Sequence, residues 1–429
     1  MKKDVIQVAL LGLGTVGTGV YKVMKMQEPE MEKKLGTVLK IKKILVRNLE
    51  KAAKKVDDPS VLTNDWQEII RDDSIDIVIE VMGGLEPAGT YIKEALQAGK
   101  NVVTANKDLI AVRGGELLDT ASENHVDLMF EASVAGGIPI INPLKNSLSA
   151  NYISEVMGIV NGTTNFILCK MTEEGMDYYH ALSIATELGY AEADPTADVE
   201  GHDAGRKMAI MASIAFHSRV TFQDVYTEGI TKITERDIAY AKELGWVIKL
   251  LGVAKNTPEG IEARVHPMLI PKNHPLATVS GSYNAVFVHG DAVDDVMFYG
   301  RGAGELPTAS AIMGDVFEVA KNIVRDASGS SHCGCYKKLP IKKIDDIISR
   351  YFLRMEVEDK PGVLATVASV LGNNSVSIAQ VVQQAKCGDN AEIVVITDHV
   401  RERHLSDALL TFESMSVIKS ISALIRVYG

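Results

Sequence analysis

The stretch that most narrows what this chain can fold into runs from Val5 to Val20, VIQVALLGLGTVGTGV, an apolar strand followed by spaced glycines and a helical pattern. Gly12, Leu13, Gly14, Thr15, Val16 and Gly17 form G-x-G-x-x-G between strand and helix, the setting in which this pattern binds a dinucleotide. The chemistry needs a tight turn at Gly12, open backbone at Gly14 for a pyrophosphate, and close helix–strand packing at Gly17, with phosphate at the helix N-terminus. The next strand, expected from Leu39 to Val46, ends in Arg47 where a ribose-binding acid commonly stands. Loss of that acid and gain of a cation predict NADP over NAD, with NAD still possible and a solvated loop arginine as the alternative.

Further strands are expected from Ile75 to Val81, Asn101 to Thr104 and Asp127 to Glu131, alternating with helices from Tyr91 to Ala98 and Glu116 to Asn124. Such alternation predicts an α/β fold with a Rossmann-type doubly wound parallel sheet. Ligands then bind beyond the carboxyl ends of the strands. Thr104, Asn106 and Lys107, in T-A-N-K, stand at one such end and are expected near a nicotinamide, with Lys107 as a plain loop cap the alternative.

A length of 429 residues predicts two or three domains. With 45 Lys and Arg against 56 Asp and Glu, a formal net charge of -11, there is no basic stripe for nucleic acid, and small molecules are the expected ligands. No apolar run reaches the ~18 residues of a membrane helix. Cys169, Cys333, Cys335 and Cys387 are too few for a disulfide scaffold and fit a reducing cytoplasm. His332, Cys333 and Cys335 lack a second ligand pair at zinc spacing, so a loop is expected there.

The segment Glu187 to Ala215 leads Glu192, Asp194, Asp198, Glu200, Asp203, Arg206 and Lys207 into an apolar run that must be buried. Asp203 and Lys207 are four apart, so on a helix they share a face. A surface ion pair explains the spacing alone. The buried setting from Met208 to Ala215 favours a lysine that faces a cleft. Upstream, E-A-S-V-A-G-G-I-P (Glu131 to Pro139) offers one carboxylate and several carbonyls, which suits a hard cation or a tight structural turn. A strand from Ile153 to Val160, the polar turn N-G-T-T-N and long segments to Phe298 predict an α+β substrate domain. After a glycine-rich loop, a helix through Arg325 is expected to return to the nucleotide domain, and residues 328–343 read as a linker. From Tyr351 the order βαββαβ predicts a ferredoxin-like unit.

LGLGTVGTGV, TANK, EASVAGGIP, NGTTN, LGYAEADPTADVEGHDAGRK and GRGAGELPTASA occur in the order found in homoserine dehydrogenases. The whole chain resembles the monofunctional form of that family with a C-terminal ACT domain. The resemblance implies interconversion of homoserine and aspartate 4-semialdehyde with NADP or NAD, in threonine and methionine biosynthesis, by a cytoplasmic homodimer or homotetramer. It implies a nucleotide domain over 1–140 and 305–327, a substrate and dimerisation domain over 141–304, a linker over 328–349 and an ACT domain over 350–429. Lys207 matches the catalytic lysine, Lys107 a second active-site lysine, and Glu192 and Asp203 the substrate-binding acids. Gly189 and Gly302 match cofactor-contacting positions, while Glu131, Val134, Gly136 and Ile138 match a monovalent cation site, usually sodium, with Glu131 giving the only side chain. The ACT motif E-D-K-P-G-V-L-A implies an amino-acid effector, threonine, at Asp359, Pro361, Gly362, Val363 and Asn374, against a reading of these as ordinary turn and cap residues. Competing with catalysis are a non-catalytic sensor that binds NADP and an amino acid, and a dehydrogenase for another small amino-acid aldehyde.

Overall fold

The computed structural model describes residues 3–329, 333–387 and 390–429, without the side chains of 384–387. It divides into two compact units, 1–156 with 206–225 and 283–338, and 157–205 with 226–282 and 339–429. In the first unit, β1 (Val5–Leu11), β2 (Val38–Leu45), β3 (Leu62–Thr63), β4 (Ile75–Glu80), β5 (Asn101–Thr104) and β6 (Leu128–Met129) lie parallel in the order β3-β2-β1-β4-β5-β6. That is the doubly wound order, and it reverses between β1 and β4, which opens a crevice at their carboxyl ends. Ile6, Val8, Ala9, Leu10 and Leu11 are fully buried, as a strand covered on both faces requires.

The helices that carry or flank site residues are, in chain order, α1 (Thr15–Leu35), α2 (Lys107–Glu123), α3 (Gly162–Glu174), α4 (His202–Phe216) and α5 (Glu305–Arg325). Ile312, Val316, Val319 and Ala320 of α5 share one core with Ile6, Val8 and Val20. Gly19 permits this packing, because a Cβ there would lie 2.4 Å from the Glu305 carbonyl oxygen. Helix α2 begins at Lys107, well before the expected Glu116. Gly114 and Gly115 blur its pattern in sequence, yet Asn106 caps it by accepting from the Leu109 N–H. Two other expectations change for similar local reasons. N-G-T-T-N is the start of α3 rather than a turn, since the Asn161 side chain accepts from Thr164 N–H. The strand expected to reach Glu131 stops at Met129, where the chain enters the 3-10 turn Glu131–Ser133.

In the second unit, Trp246–Thr257, Gly260–Pro271, Ile418–Val427, Ile348–Glu358, Asn390–Thr397 and Ile378–Cys387 adjoin in that order. With helices Val363–Asn373 and Glu402–Glu413, the last four strands form the expected βαββαβ arrangement around Tyr351, Leu353, Val367, Leu371 and Phe412. Parallel pairing of Met268 with Arg426 and Leu269 with Val427 joins it to the preceding hairpin. Ion pairs from Arg354 to Asp237 at 2.8 Å and from Arg426 to Glu228 at 2.9 Å reinforce that junction. Among the described residues no helix is long and apolar enough to cross a membrane.

Candidate active site

Gly12 leaves β1 with φ +102°, a left-handed conformation that a side chain would strain, and donates its N–H to the Leu45 carbonyl at 3.0 Å. A Cβ on Gly14 would meet nothing within 4 Å, so the backbone there is open to a ligand. A Cβ on Gly17 would lie 2.1 Å from the Gly12 oxygen, so only glycine closes the turn. Gly14 caps α1 without a side-chain hydrogen bond, and Thr15 is exposed beside it, leaving N–H groups of the first turn for an anion. Leu13 and Val16 face inward, Leu13 at 8% exposure. Lys55, which the motif does not include, donates to the Leu13 carbonyl at 2.9 Å and sets a cation beside the turn. Arg47 is exposed just past β2, with no acidic partner among the described residues.

At the end of β5 the structure redistributes the expected roles. The hydroxyl of Thr104 donates to Glu80 at 2.6 Å in a fully buried position, so its side chain does not reach the crevice, and only its backbone is left for a cofactor. Glu80 also accepts from Met82 and Gly83 N–H, which holds the Gly83-Gly84 turn. Asn106 is spent on the Gly84 carbonyl and the α2 cap, and Lys107 opens α2 behind it. Next to the two lysines, Asp108 and Arg206 form an ion pair at 3.0 Å that ties the first turn of α2 to α4. Lys207 itself is 9% exposed. Met208, Ala209, Met211 and Ala212 after it are buried, as the apolar pattern predicts.

Around Asp203 the second unit builds a different kind of site. Asn161 donates one amide group to Asp198 at 2.7 Å and to Asp203 at 2.9 Å, while its oxygen caps α3. Asp203 is 4% exposed and fixed in direction, one helical turn before Lys207 on α4. Glu192 is exposed in the loop before Thr196–Val199, and Gly189 is an exposed left-handed residue at φ +75°. Asp194, from the same acidic run, serves Thr196 as a turn cap.

Glu131 does not present a free carboxylate. One oxygen accepts from Ile140 N–H at 2.6 Å and Ile141 N–H at 2.7 Å, the other from Asn142 N–H at 2.7 Å. Those bonds oppose the burial that raises its pKa. Asp315 accepts from the Glu131 N–H, and burial, aided by the Glu131 charge, pushes its carboxyl up to about 7. Nearby, Ala135 and Gly136 both have φ +53°, a strained pair at which alanine is unusual. The loop is tightly seated: a Cβ on Gly136 would lie 2.3 Å from the Gly302 oxygen, and one on Gly302 would lie 2.0 Å from the Asn284 amide. Asn284 is 1% exposed, and neither of its amide atoms has a hydrogen-bond partner among the described residues. Val134 and Ile138 complete this buried loop.

At the ACT-like turn, Gly362 has φ +92° before the helix Val363–Asn373, whose Thr366 N–H it accepts. Asn374 uses its side chain to cap that helix at the Val370 carbonyl, 2.9 Å away, as the cap reading expects. Asp359 and Pro361 precede it in the turn. Of the cysteine-rich stretch, His332 lies outside the described residues. Cys335 contacts the Ser213 carbonyl at 3.7 Å, and burial pushes its thiol up to about 12. Among the described residues no cluster of three or more His, Cys, Asp or Glu side chains is placed to hold a metal.

Three family models match the chain: the homoserine dehydrogenase NAD-binding domain over residues 12–131, homoserine dehydrogenase over 139–317, and the ACT domain over 351–414. Homoserine dehydrogenase of Bacillus subtilis is 45% identical over 427 residues, covering 99% of this chain and 98% of that protein. The Corynebacterium glutamicum protein of the same name is 47% identical over 429 residues, covering 98% and 95%. A crystal structure of a homoserine dehydrogenase from Thiobacillus denitrificans superposes with a TM-score of 0.95 at 40% identity, covering all of both chains. A hyperthermophilic archaeal homoserine dehydrogenase mutant in complex with NADPH has a TM-score of 0.63 at 26% identity and covers 73% of this chain and 97% of its own.

Proposed function

The chain belongs to the homoserine dehydrogenase family, and from that premise we propose that it interconverts L-homoserine and L-aspartate 4-semialdehyde with NADP(H) preferred over NAD(H). The observation that carries the reading is the Asn161-held Asp203 one turn before the low-exposure Lys207. The fit of a dinucleotide rests on the open backbone at Gly14 and the Cβ-intolerant contact at Gly17. When bound, its nicotinamide supplies or accepts the hydride, and the chain's own residues do the rest.

Reduction of the aldehyde leaves an alkoxide, to which Lys207 delivers a proton; in oxidation, deprotonated Lys207 takes the hydroxyl proton. Its positive charge also opposes the negative charge developing on that oxygen. Asp203 and Glu192 receive the substrate ammonium group, Asp203 pre-aimed by Asn161 and Glu192 from a solvent-exposed loop. Lys107 meets the substrate carboxylate or hydroxyl oxygen. Gly189, Gly302, Thr104 through its backbone, and Arg47 add cofactor contacts, Arg47 selecting the 2'-phosphate.

The loop of Glu131, Val134, Gly136 and Ile138 fits a monovalent cation, sodium, received by backbone carbonyls. Support comes from the paired positive φ values at Ala135 and Gly136 and from the unpartnered Asn284 amide against Gly302. Glu131 would give that site its one side chain, its carboxylate oriented by three N–H bonds that also fix the loop. The ACT segment would bind threonine at Asp359, Pro361, Gly362, Val363 and Asn374 as feedback inhibitor of threonine and methionine biosynthesis. We assign the nucleotide domain to 1–140 with 305–327, the substrate and dimerisation domain to 141–304, the linker to 328–349 and the ACT domain to 350–429, in a cytoplasmic homodimer or homotetramer.

NADPH oxidation followed by its absorbance with aspartate 4-semialdehyde, with and without threonine, tests both layers. Turnover that threonine suppresses is expected. Turnover indifferent to threonine removes only the regulatory claim, whereas cofactor binding without turnover overturns the enzyme reading and leaves a sensor.

A further inference from the structure

Lined by neither the glycine turn nor Lys207, an open pocket of about 740 Å³ lies in the first unit. Helices α2, α4 and α5 form its walls with residues 128–131, 141–146 and 333–338. Much of the lining is apolar, from Ile110, Leu118, Phe130, Ile210 and Ile214. Into it project Lys145, Arg219, Lys337 and Lys338, with Asp119, Glu131, Asp315 and Glu318 as the acids.

Most of those acids are already committed. Glu131 accepts three N–H groups, Glu318 pairs with Lys321 at 3.1 Å, and Asp315 accepts the Glu131 N–H. Asp119 is exposed to solvent. Of the cations, Arg219 gives one bond to the Val112 carbonyl and keeps its charge. The Lys145 ammonium makes no hydrogen bond or ion pair among the described residues, and sits 4.3 Å from the centroid of the Phe130 ring. Burial pulls its pKa below the ordinary lysine value despite Asp315 and Glu131 nearby. The ammonium thus sits beside Asp315 and Glu131 without a direct partner among the described residues, on a half-buried wall of the pocket where a ligand oxyanion can reach it.

We infer that this cavity is a second ligand site, for a small organic oxyanion whose carboxylate or phosphate head is received by Lys145 and whose apolar body lies against Phe130, Ile210 and Ile214. A ring cation contact recovers only part of what a full hydrogen-bonded ion pair gives, which leaves the head group the larger share of affinity. With a net charge of -11, the rest of the protein does not draw anions, so recognition falls to direct contact with Lys145 rather than to a long-range field. The walls include Ile110 and Gly114 on α2, which begins at Lys107, and Ile210 and Ile214 on α4, which carries Lys207. An occupant therefore touches both lysine-bearing helices.

The test uses the full chain saturated with NADP, so that the glycine turn is filled. Acetylation of each lysine by an amine-reactive reagent is mapped by mass spectrometry, with inorganic phosphate, phenylphosphate or benzoate added. The site predicts that phenylphosphate or benzoate protects Lys145 about tenfold at a concentration near ten times its dissociation constant, with exposed lysines unaffected. Inorganic phosphate alone should protect less, and the stronger of the two aromatic probes identifies the head group. Calorimetry on Lys145→Met should show the same probe binding roughly tenfold or more weakly. Three outcomes overturn the proposal: no probe protects Lys145, Lys145→Met binds the probe as well as the parent, or protection without any probe rises with protein concentration, which would place a second copy of the chain in the cavity. The protection measurement needs no variant and stands if Lys145→Met fails to fold.

Discussion

Between Gly12 and Gly17 the ligand-facing surface is backbone, and its shape follows from what side chains are missing. Around Asp203 the surface is side chains, and its shape follows from one amide that joins residues 37 and 42 positions away in sequence. The first site is built within six consecutive residues by steric exclusion, since a Cβ at Gly17 would lie 2.1 Å from the Gly12 oxygen. The second depends on α3 and α4 being correctly packed. A backbone site should fail abruptly when a methyl is added, whereas a side-chain network should weaken in proportion to the bonds removed.

Variants sharpen this contrast. Lys207→Met should have the largest effect, lowering turnover by ~10²–10⁴ while leaving NADPH affinity unchanged, read by steady-state kinetics beside a fluorescence titration. A loss under tenfold would move the proton role to Lys107. Gly17→Ala inverts that pattern: cofactor affinity should drop roughly tenfold to a hundredfold, because overpacking of about 1–3 kcal/mol falls on the turn itself. Asn161→Ala should cost roughly tenfold in kcat/KM, mostly through KM for the semialdehyde, as Asp203 loses its aim and α3 its cap. If kcat alone falls, Asp203 acts in the transition state rather than in substrate binding. Smallest is Arg47→Asp, where a several-fold shift of preference from NADPH toward NADH is expected, since the residue is exposed and its charge is screened. Unchanged preference would leave Arg47 a solvated loop residue and point to Lys55, whose ammonium sits on the Leu13 carbonyl.

The same contrast explains what could be read from the sequence. β1 occupies Val5–Leu11 as expected, because a strand covered on both faces writes itself as an unbroken apolar run. The C-terminal βαββαβ order was legible for a related reason, each element having its own period and turn residues. The role of Asn161 was not, because N-G-T-T-N reads equally as a turn until α3 is seen to start there. Glu131 carried a second lesson. Its carboxylate is expected at a cation site, and the chain bends so that the N–H groups of residues 140–142 also converge on it, a convergence no local pattern displays. Thr104 likewise stands at the right strand end yet turns its hydroxyl to the buried Glu80.

The purified full chain should act as a hydride-transfer enzyme on a four-carbon amino-acid aldehyde. The most direct test is product analysis by mass after incubation with aspartate 4-semialdehyde and NADPH. L-homoserine is expected in stoichiometric yield with the NADP formed. NADPH binding with no homoserine formed would contradict it.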